Sequence, residues 1–191
     1  FSKDDYIRKI EELKTINSKI YIRADFNNEF SIGDCKNILK DVNFKFEFIE
    51  GLLKKESFEN YKALEKSNHK LCLDIKQENL IDIDKIIAHK LISYIAIKPK
   101  LLGNKNNALL LAKKCYKNNI KSYISSTFET QIGFNNSIYI AKLLDELYGK
   151  EIVHGFGTYN YIEKSLLEGI YLDKGYIKSN FSEFNLQNIK K

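Results

Sequence analysis

Four apolar runs in this chain each end on a charged residue, and the charged residues stand at nearly constant intervals. Asp25 ends the run in "IYIRADF" (20–26), Glu50 ends "FKFEFIE" (44–50), Asp74 ends the run in "KLCLDI" (70–75), and Lys98 closes that in "YIAIKP" (94–99); the separations are 25, 24 and 24 residues. A fifth run, "KSYISS" (121–126), and a weaker sixth, "EIVHGFG" (151–157), follow. Helical patterns fill the gaps at 57–67, 80–90, 106–118 and 136–148, with apolar residues at helical spacing, such as Ala108, Leu109, Leu111, Ala112 and Cys115. Strands alternating with helices over short connections predict βαβ units and a parallel sheet. An open doubly wound sheet meets that description. Units of such regular length favour successive sectors of a (β/α) barrel, whose functional groups sit at the C-terminal ends of its strands. About six parallel strands fall short of the usual eight, so the pattern predicts a partial barrel over residues 1–169. Residues 170–191 leave the rhythm and are expected to leave the barrel.

Composition narrows the classes of partner. The net charge is +6, but 29 of the 31 basic residues are lysines spread along the chain among Glu and Asp; only Arg8 and Arg23 are arginines. Phosphate-reading surfaces cluster their charge and favour arginine's planar fork, so no nucleic-acid partner is expected. No apolar run approaches the roughly 18 residues of a membrane helix, and no membrane role is expected. Cys35, Cys72 and Cys115 lack metal-ligand spacing, and the odd number of separated thiols fits a reducing, cytoplasmic setting. His69, His89 and His154 are scattered. The opening "FSKDDYIRKIEELKTI" is charged and amphipathic, with Ser2 as a candidate helix cap. It reads as a helix without its preceding strand, as if about two strands lay upstream.

On three neighbouring barrel strands, Asp25, Glu50 and Asp74 would bring three carboxylates to one rim. Such groups raise each other's pKa unless a cation lies among them. Hard oxygen donors, few enough to leave positions for water or substrate, suit Mg²⁺ better than zinc. Lys98 would project into the same mouth. Taken singly, each residue is also what a water-facing strand end carries.

The residues resemble a known family. "YIRADFNNEFS" is similar to the "RxDxN…W" strand of the enolase superfamily, "FIEGLL" to its "iEqPl" strand and "LCLDIK" to its "aLDEs" strand. "IAIKPKLLG", "ISSTFETQIGF" and "HGFGT" resemble the "vlKPsl.G", "SSsfES.iGl" and "hGLdT" segments of the o-succinylbenzoate synthases. The resemblance covers most of residues 2–160. It departs from the family at Gly51 for Gln, Leu52 for Pro, Ile75 for Glu, Phe30 for Trp and Gly157 for Asp.

The resemblance implies a muconate-lactonising-enzyme-like (β/α) barrel with Asp25, Glu50 and Asp74 as ligands of Mg²⁺, with Mn²⁺ as a substitute. It implies Asn27 as support for the metal site, Lys98 as a catalytic lysine facing the substrate ring, and Ser125, Ser126, Glu129 and Gly155 at the substrate rim. The family's capping domain, first two strands and "KxK" acid/base lysine have no counterpart here. The implied partners are therefore a small-molecule carboxylate substrate and either the N-terminal part of the same enzyme or an oligomer partner. The implied reaction is the dehydration of 2-succinyl-6-hydroxy-2,4-cyclohexadiene-1-carboxylate to o-succinylbenzoate, in menaquinone biosynthesis, through an enediolate. Two alternatives stand beside it: an N-acylamino acid racemase or another epimerising or lactonising member, and a non-catalytic barrel fragment that acts with a partner chain.

Overall fold

The computed structural model describes residues 3–16, 21–42, 44–161 and 170–179. Helix α1 (Lys3–Ile16) is followed by β1 (Arg23–Asp25), α2 (Ile32–Asp41), β2 (Phe48–Glu50), α3 (Phe58–Ala63), β3 (Leu71–Asp74), α4 (Ile83–Ala88), β4 (Tyr94–Ile97), α5 (Lys105–Lys117), β5 (Lys121–Ile124) and α6 (Gln131–Tyr148). The five strands form one parallel sheet in the order β1-β2-β3-β4-β5. Sequential parallel strands joined by helices are the partial (β/α) barrel that the residue spacing predicts. The helix cap expected at Ser2 lies outside the described residues.

Side-chain alternation gives the sheet two different faces. Ile49, Leu73, Ile95, Ile97 and Ile124 point towards the helices and join one large core with Ile38, Ile86, Ala112 and Leu144. The opposite, concave face carries a smaller cluster of Phe48, Cys72, Tyr94, Ala96 and Tyr123. Phe48 stacks on Tyr123 with ring centroids 5.5 Å apart and lies 4.6 Å from Tyr94. Both faces of β3 and β4 are thus buried, which is why these strands read as unbroken apolar runs.

Short polar residues start the helices that leave the strand ends. Ser31, Ser57, Asn104 and Thr130 each cap a helix by accepting a hydrogen bond from the backbone N–H three residues on. These caps turn the chain sharply back and hold the loops at the C-terminal rim.

The expected sixth strand contracts to a single parallel bridge between Ser125 and Gly155. The backbone N–H of Ile124, which a sixth strand's carbonyl would accept, goes instead to Nδ1 of His154 at 3.0 Å. That bond fixes the imidazole as neutral, with its proton on Nε2, 3.2 Å from Asp145 Oδ1. Burial lowers the His154 pKa, with Asp145 opposing and Arg23 adding to the fall. The folded state therefore disfavours the charged ring, and the unfolded state takes up the proton first as pH falls. This contribution to stability is complete above about pH 6.5 and is lost on acidification. In urea melts at pH 7.5 and pH 5, His154→Gln, whose amide keeps both bonds without titrating, should lose less stability on acidification than the wild type. Equal losses would show that His154 does not titrate on unfolding.

Beyond the barrel sectors, β6 (Ile170–Asp173) and β7 (Tyr176–Ser179) form an antiparallel hairpin. Lys174 and Gly175 form its turn, with φ of 48° and 85°. Positive φ at both central residues matches the twist of paired strands. Ile170 packs with Phe134, Ile138 and Tyr159. Residues 180–191 of the expected C-terminal segment lie outside the described residues.

Candidate active site

The four spaced residues occupy one end and one face of the sheet. Asp25 is in register with Glu50, and Glu50 with Cys72, so Asp74 stands two residues further along. Asp74 is in register with Ala96, so Lys98 stands two residues further again. Progressive stagger of this kind accompanies the strand tilt of a barrel. It keeps all four at the C-terminal rim, on the concave side that Phe48, Cys72, Tyr94 and Tyr123 line below them.

Each of the three carboxylates has a partner inside the protein. Asp25 is exposed, and its Oδ1 accepts the backbone N–H of Asn27 at 2.8 Å. Glu50 accepts the phenol O–H of Tyr123, which reaches it along the concave face. Burial pushes the Glu50 carboxyl up to about 7; nearby Asp74 and Asp25 act in the same direction, while the Tyr123 bond and Lys98 oppose it. Asp74 is 8% exposed, and its Oδ1 lies 2.5 Å from Nζ of Lys98. Burial raises the Asp74 pKa against the pull of Lys98. Lys98 thus lies in the mouth directly against Asp74.

Among the described residues, no three acidic, histidine or cysteine side chains are gathered closely enough to hold one metal ion as they stand. In chemical kind the donors fit a hard cation. All are carboxylate oxygens, and Asp74 Oδ1 is buried with an ammonium beside it but no well-directed hydrogen bond. For a cation to take that oxygen, Lys98 has to release it.

The other residues singled out from the sequence mainly hold loops. Asn27 is exposed, with φ of 51°, and lends Asp25 its backbone N–H; it is the neighbouring Asn28 whose side chain braces the rim. Asn28 donates to the Leu53 carbonyl at 2.8 Å and accepts from the ammonium of Lys76. Ser126 Oγ bonds the Gly155 carbonyl at 3.0 Å and the Thr158 hydroxyl at 2.6 Å. Glu129 accepts from the N–H and hydroxyl of Thr127, both at 3.1 Å, and from Ser137 at 3.0 Å, which ties the β5–α6 loop to α6. Ser125 and Gly155 form the bridge that continues the sheet past β5. Ile75 is fully buried in the helix-side core, so it presents nothing to the mouth.

Sequence reasoning missed a buried polar cluster beneath the end of β3. Glu56 is 6% exposed, and its Oε1 accepts from the Tyr61 hydroxyl at 2.8 Å while Oε2 accepts from Asn79 Nδ2 at 3.2 Å. Burial pushes the Glu56 carboxyl up to about 8, with Tyr61 opposing and Asp74 adding to the rise. Tyr123 was also missed, although strand alternation two residues before Ser125 places it on the site-facing side.

No protein-family profile and no curated relative match the sequence. Solved structures do share the fold. MenC from Desulfotalea psychrophila LSv54 superposes with a TM-score of 0.75 at 21% identity, over 92% of this chain and 50% of its own. The L-Ala-D/L-Glu epimerase of Bacillus subtilis gives 0.75 at 15% identity, over 94% and 50%. An enolase from Pantoea ananatis, solved with D-gluconate and Mg bound, gives 0.76 at 17% identity, over 93% and 43%. The chain therefore spans about half the length of these enzymes, and what it shares with them is the barrel architecture.

Proposed function

We propose that this chain forms the metal-binding half of a barrel of an enolase-superfamily enzyme, and that the enzyme is an o-succinylbenzoate synthase. The observation that carries the reading is that Asp25, Glu50, Asp74 and Lys98 leave the C-terminal ends of four adjacent parallel strands on one concave face. Asp25, Glu50 and Asp74 would hold the ion. Mg²⁺ would supply a Lewis acid for the charge that develops on a substrate carboxylate when its α-proton is removed. Lys98 would place its ammonium over the substrate ring, where charge spreads as the ring becomes aromatic. Tyr123 would hold the Glu50 carboxylate from below, and the concave aromatic layer would close the floor against water. The proton acceptor would come from strands outside this chain. On its outer edge β1 pairs with no strand among the described residues, so it offers an edge on which such strands could add. They would belong either to the N-terminal part of the same enzyme or to an oligomer partner.

Calorimetric titration tests the metal site directly. The 191-residue chain should bind Mg²⁺, and Asp74→Asn should bind it at least about tenfold more weakly, because a neutral amide replaces a charged hard ligand. Equal affinity would remove Asp74 from the ligand set.

A second reading, an epimerase, is favoured by the equal TM-score of the Bacillus subtilis epimerase. In it Lys98 would exchange a proton with one face of the substrate. Solvent deuterium in recovered N-acylamino acid or dipeptide would mark the epimerase, and its absence alongside synthase turnover would exclude it.

A further inference from the structure

We propose that Glu56 and Asn79 are a positioning pair that fixes the end of β3, and with it the direction in which Asp74 presents its carboxylate to the mouth. The proposal rests on the reading of Asp74 as a metal ligand. It concerns residues that neither the spacing of the strand ends nor the family resemblance singles out.

The hydrogen bonds of Asn79 define the role. The residue is 2% exposed, and its amide is fully used. Nδ2 donates to the Asp74 carbonyl at 2.7 Å and to Glu56 Oε2 at 3.2 Å, while Oδ1 accepts the backbone N–H of Lys76 at 3.0 Å. One planar amide therefore brackets residues 74–76, where β3 runs out and its last ladder bond, from the Ile75 N–H to the Ala96 carbonyl, is stretched to 3.4 Å. Rotating it would break three bonds in a buried setting, so its orientation is determined. Glu56 sets that orientation, because its carboxylate accepts the second Nδ2 proton and is itself held by the Tyr61 hydroxyl at 2.8 Å. Tyr61 also reaches the Cys72 carbonyl at 3.3 Å, so the pair is anchored further down the same strand. Lys76, whose backbone the amide grips, carries the ammonium that bonds Asn28. The grip on β3 thereby extends to the loop after Asp25.

Glu56→Gln tests the carboxylate with little change of size: a glutamine offers one acceptor where Tyr61 and Asn79 require two. Asn79→Ala removes the bracket itself. Ser122→Ala serves as the control, because it removes a bond to Tyr148 at 3.0 Å on the helix-facing side of β5, away from the mouth. In the metal-free 191-residue chain, both test variants should shift the ¹³Cγ resonance of Asp74 and speed hydrogen exchange at the Lys76 amide. Titrated with Mg²⁺, both should bind about 10- to 100-fold more weakly than the wild type. Ser122→Ala should lower thermal stability and change neither the Asp74 signal nor the affinity. Should Asn79→Ala fail to fold, Glu56→Gln carries the test. The metal-free spectra decide the positioning role and the titration decides the metal reading. An unmoved Asp74 resonance with unchanged Lys76 exchange overturns the proposal, whereas shifted spectra with wild-type Mg²⁺ affinity in both variants uphold the positioning and remove Asp74 from the ligand set. A wild type that binds no Mg²⁺ but whose variants shift the Asp74 signal upholds the positioning and overturns the metal reading.

Discussion

On the proposed function, replacing Lys98 with alanine is expected to cut turnover by roughly 10²- to 10³-fold, the usual cost of losing one group aimed at developing charge. The same change should tighten Mg²⁺ binding. Lys98 Nζ is 2.5 Å from Asp74 Oδ1, with only 18% and 11% of the two side chains exposed. The ammonium thus competes with a metal for that oxygen, and its positive charge opposes a cation anywhere in the mouth. The ion pair also gives Lys98 a part in stability. Without metal, Lys98→Ala leaves a mostly buried carboxylate with only the weaker pull of Lys76 to oppose its burial, which costs up to about 3 kcal/mol. Added Mg²⁺ should restore part of this, so the gap in Tm between variant and wild type should narrow as Mg²⁺ rises. Lys98→Arg keeps the charge in a different shape and should recover only part of the lost turnover. Scanning calorimetry with and without Mg²⁺, a binding titration and a turnover assay check the three parts. Undiminished turnover in Lys98→Ala, or weaker Mg²⁺ binding, would show that Lys98 has a different role.

The barrel was legible because its central strands are buried on both faces. Phe48, Cys72, Tyr94 and Tyr123 fill the concave side while Ile49, Leu73, Ile95 and Ile124 fill the helix side, so β2, β3 and β4 are apolar runs that a charge at the rim terminates. The geometry among the rim charges was much less legible. The Tyr123–Glu50 bond joins residues 73 apart, and the Lys76–Asn28 bond joins residues 48 apart. No local period encodes either. Glu56 looked like any charged residue ahead of a helix, because only the fold brings Tyr61 and Asn79 to its two oxygens. The sixth strand was over-read because a strand pattern does not reveal that His154 will take the ladder donor of Ile124 with its side chain. The hairpin at 170–179 was under-read, although "LDKGYI" places Gly175 at the second turn position between apolar residues. At Gly51, departure from the family pattern turns out to have a structural reason.

Gly51→Ala is expected to cost about 1–3 kcal/mol of stability and to weaken Mg²⁺ binding about tenfold or more. Gly51 directly follows Glu50 and has a φ of +56°, a region that side-chain-bearing residues enter only with strain. A Cβ there would sit 2.7 Å from Asp25 Oδ1 and 3.1 Å from the backbone nitrogen of Asn27. Asp25 Oδ1 is the atom that accepts the Asn27 N–H, so the methyl would displace the carboxylate together with the turn that holds it. The missing side chain is therefore what lets the ends of β1 and β2 approach at the rim. Gly149→Ala separates strain from clash: its φ is +65°, but nothing lies within 4 Å of the added carbon. It should lose about 1 kcal/mol through backbone strain alone and bind Mg²⁺ as the wild type does. Gly51→Asn adds the converse arm, because asparagine tolerates positive φ yet still carries the Cβ. It should regain part of the stability lost in Gly51→Ala while its Mg²⁺ affinity stays low. Urea melts and calorimetric titrations of the three variants distinguish these outcomes. Wild-type affinity in Gly51→Ala would mean that the position of Asp25 does not matter to the metal, and would remove Asp25 from the site.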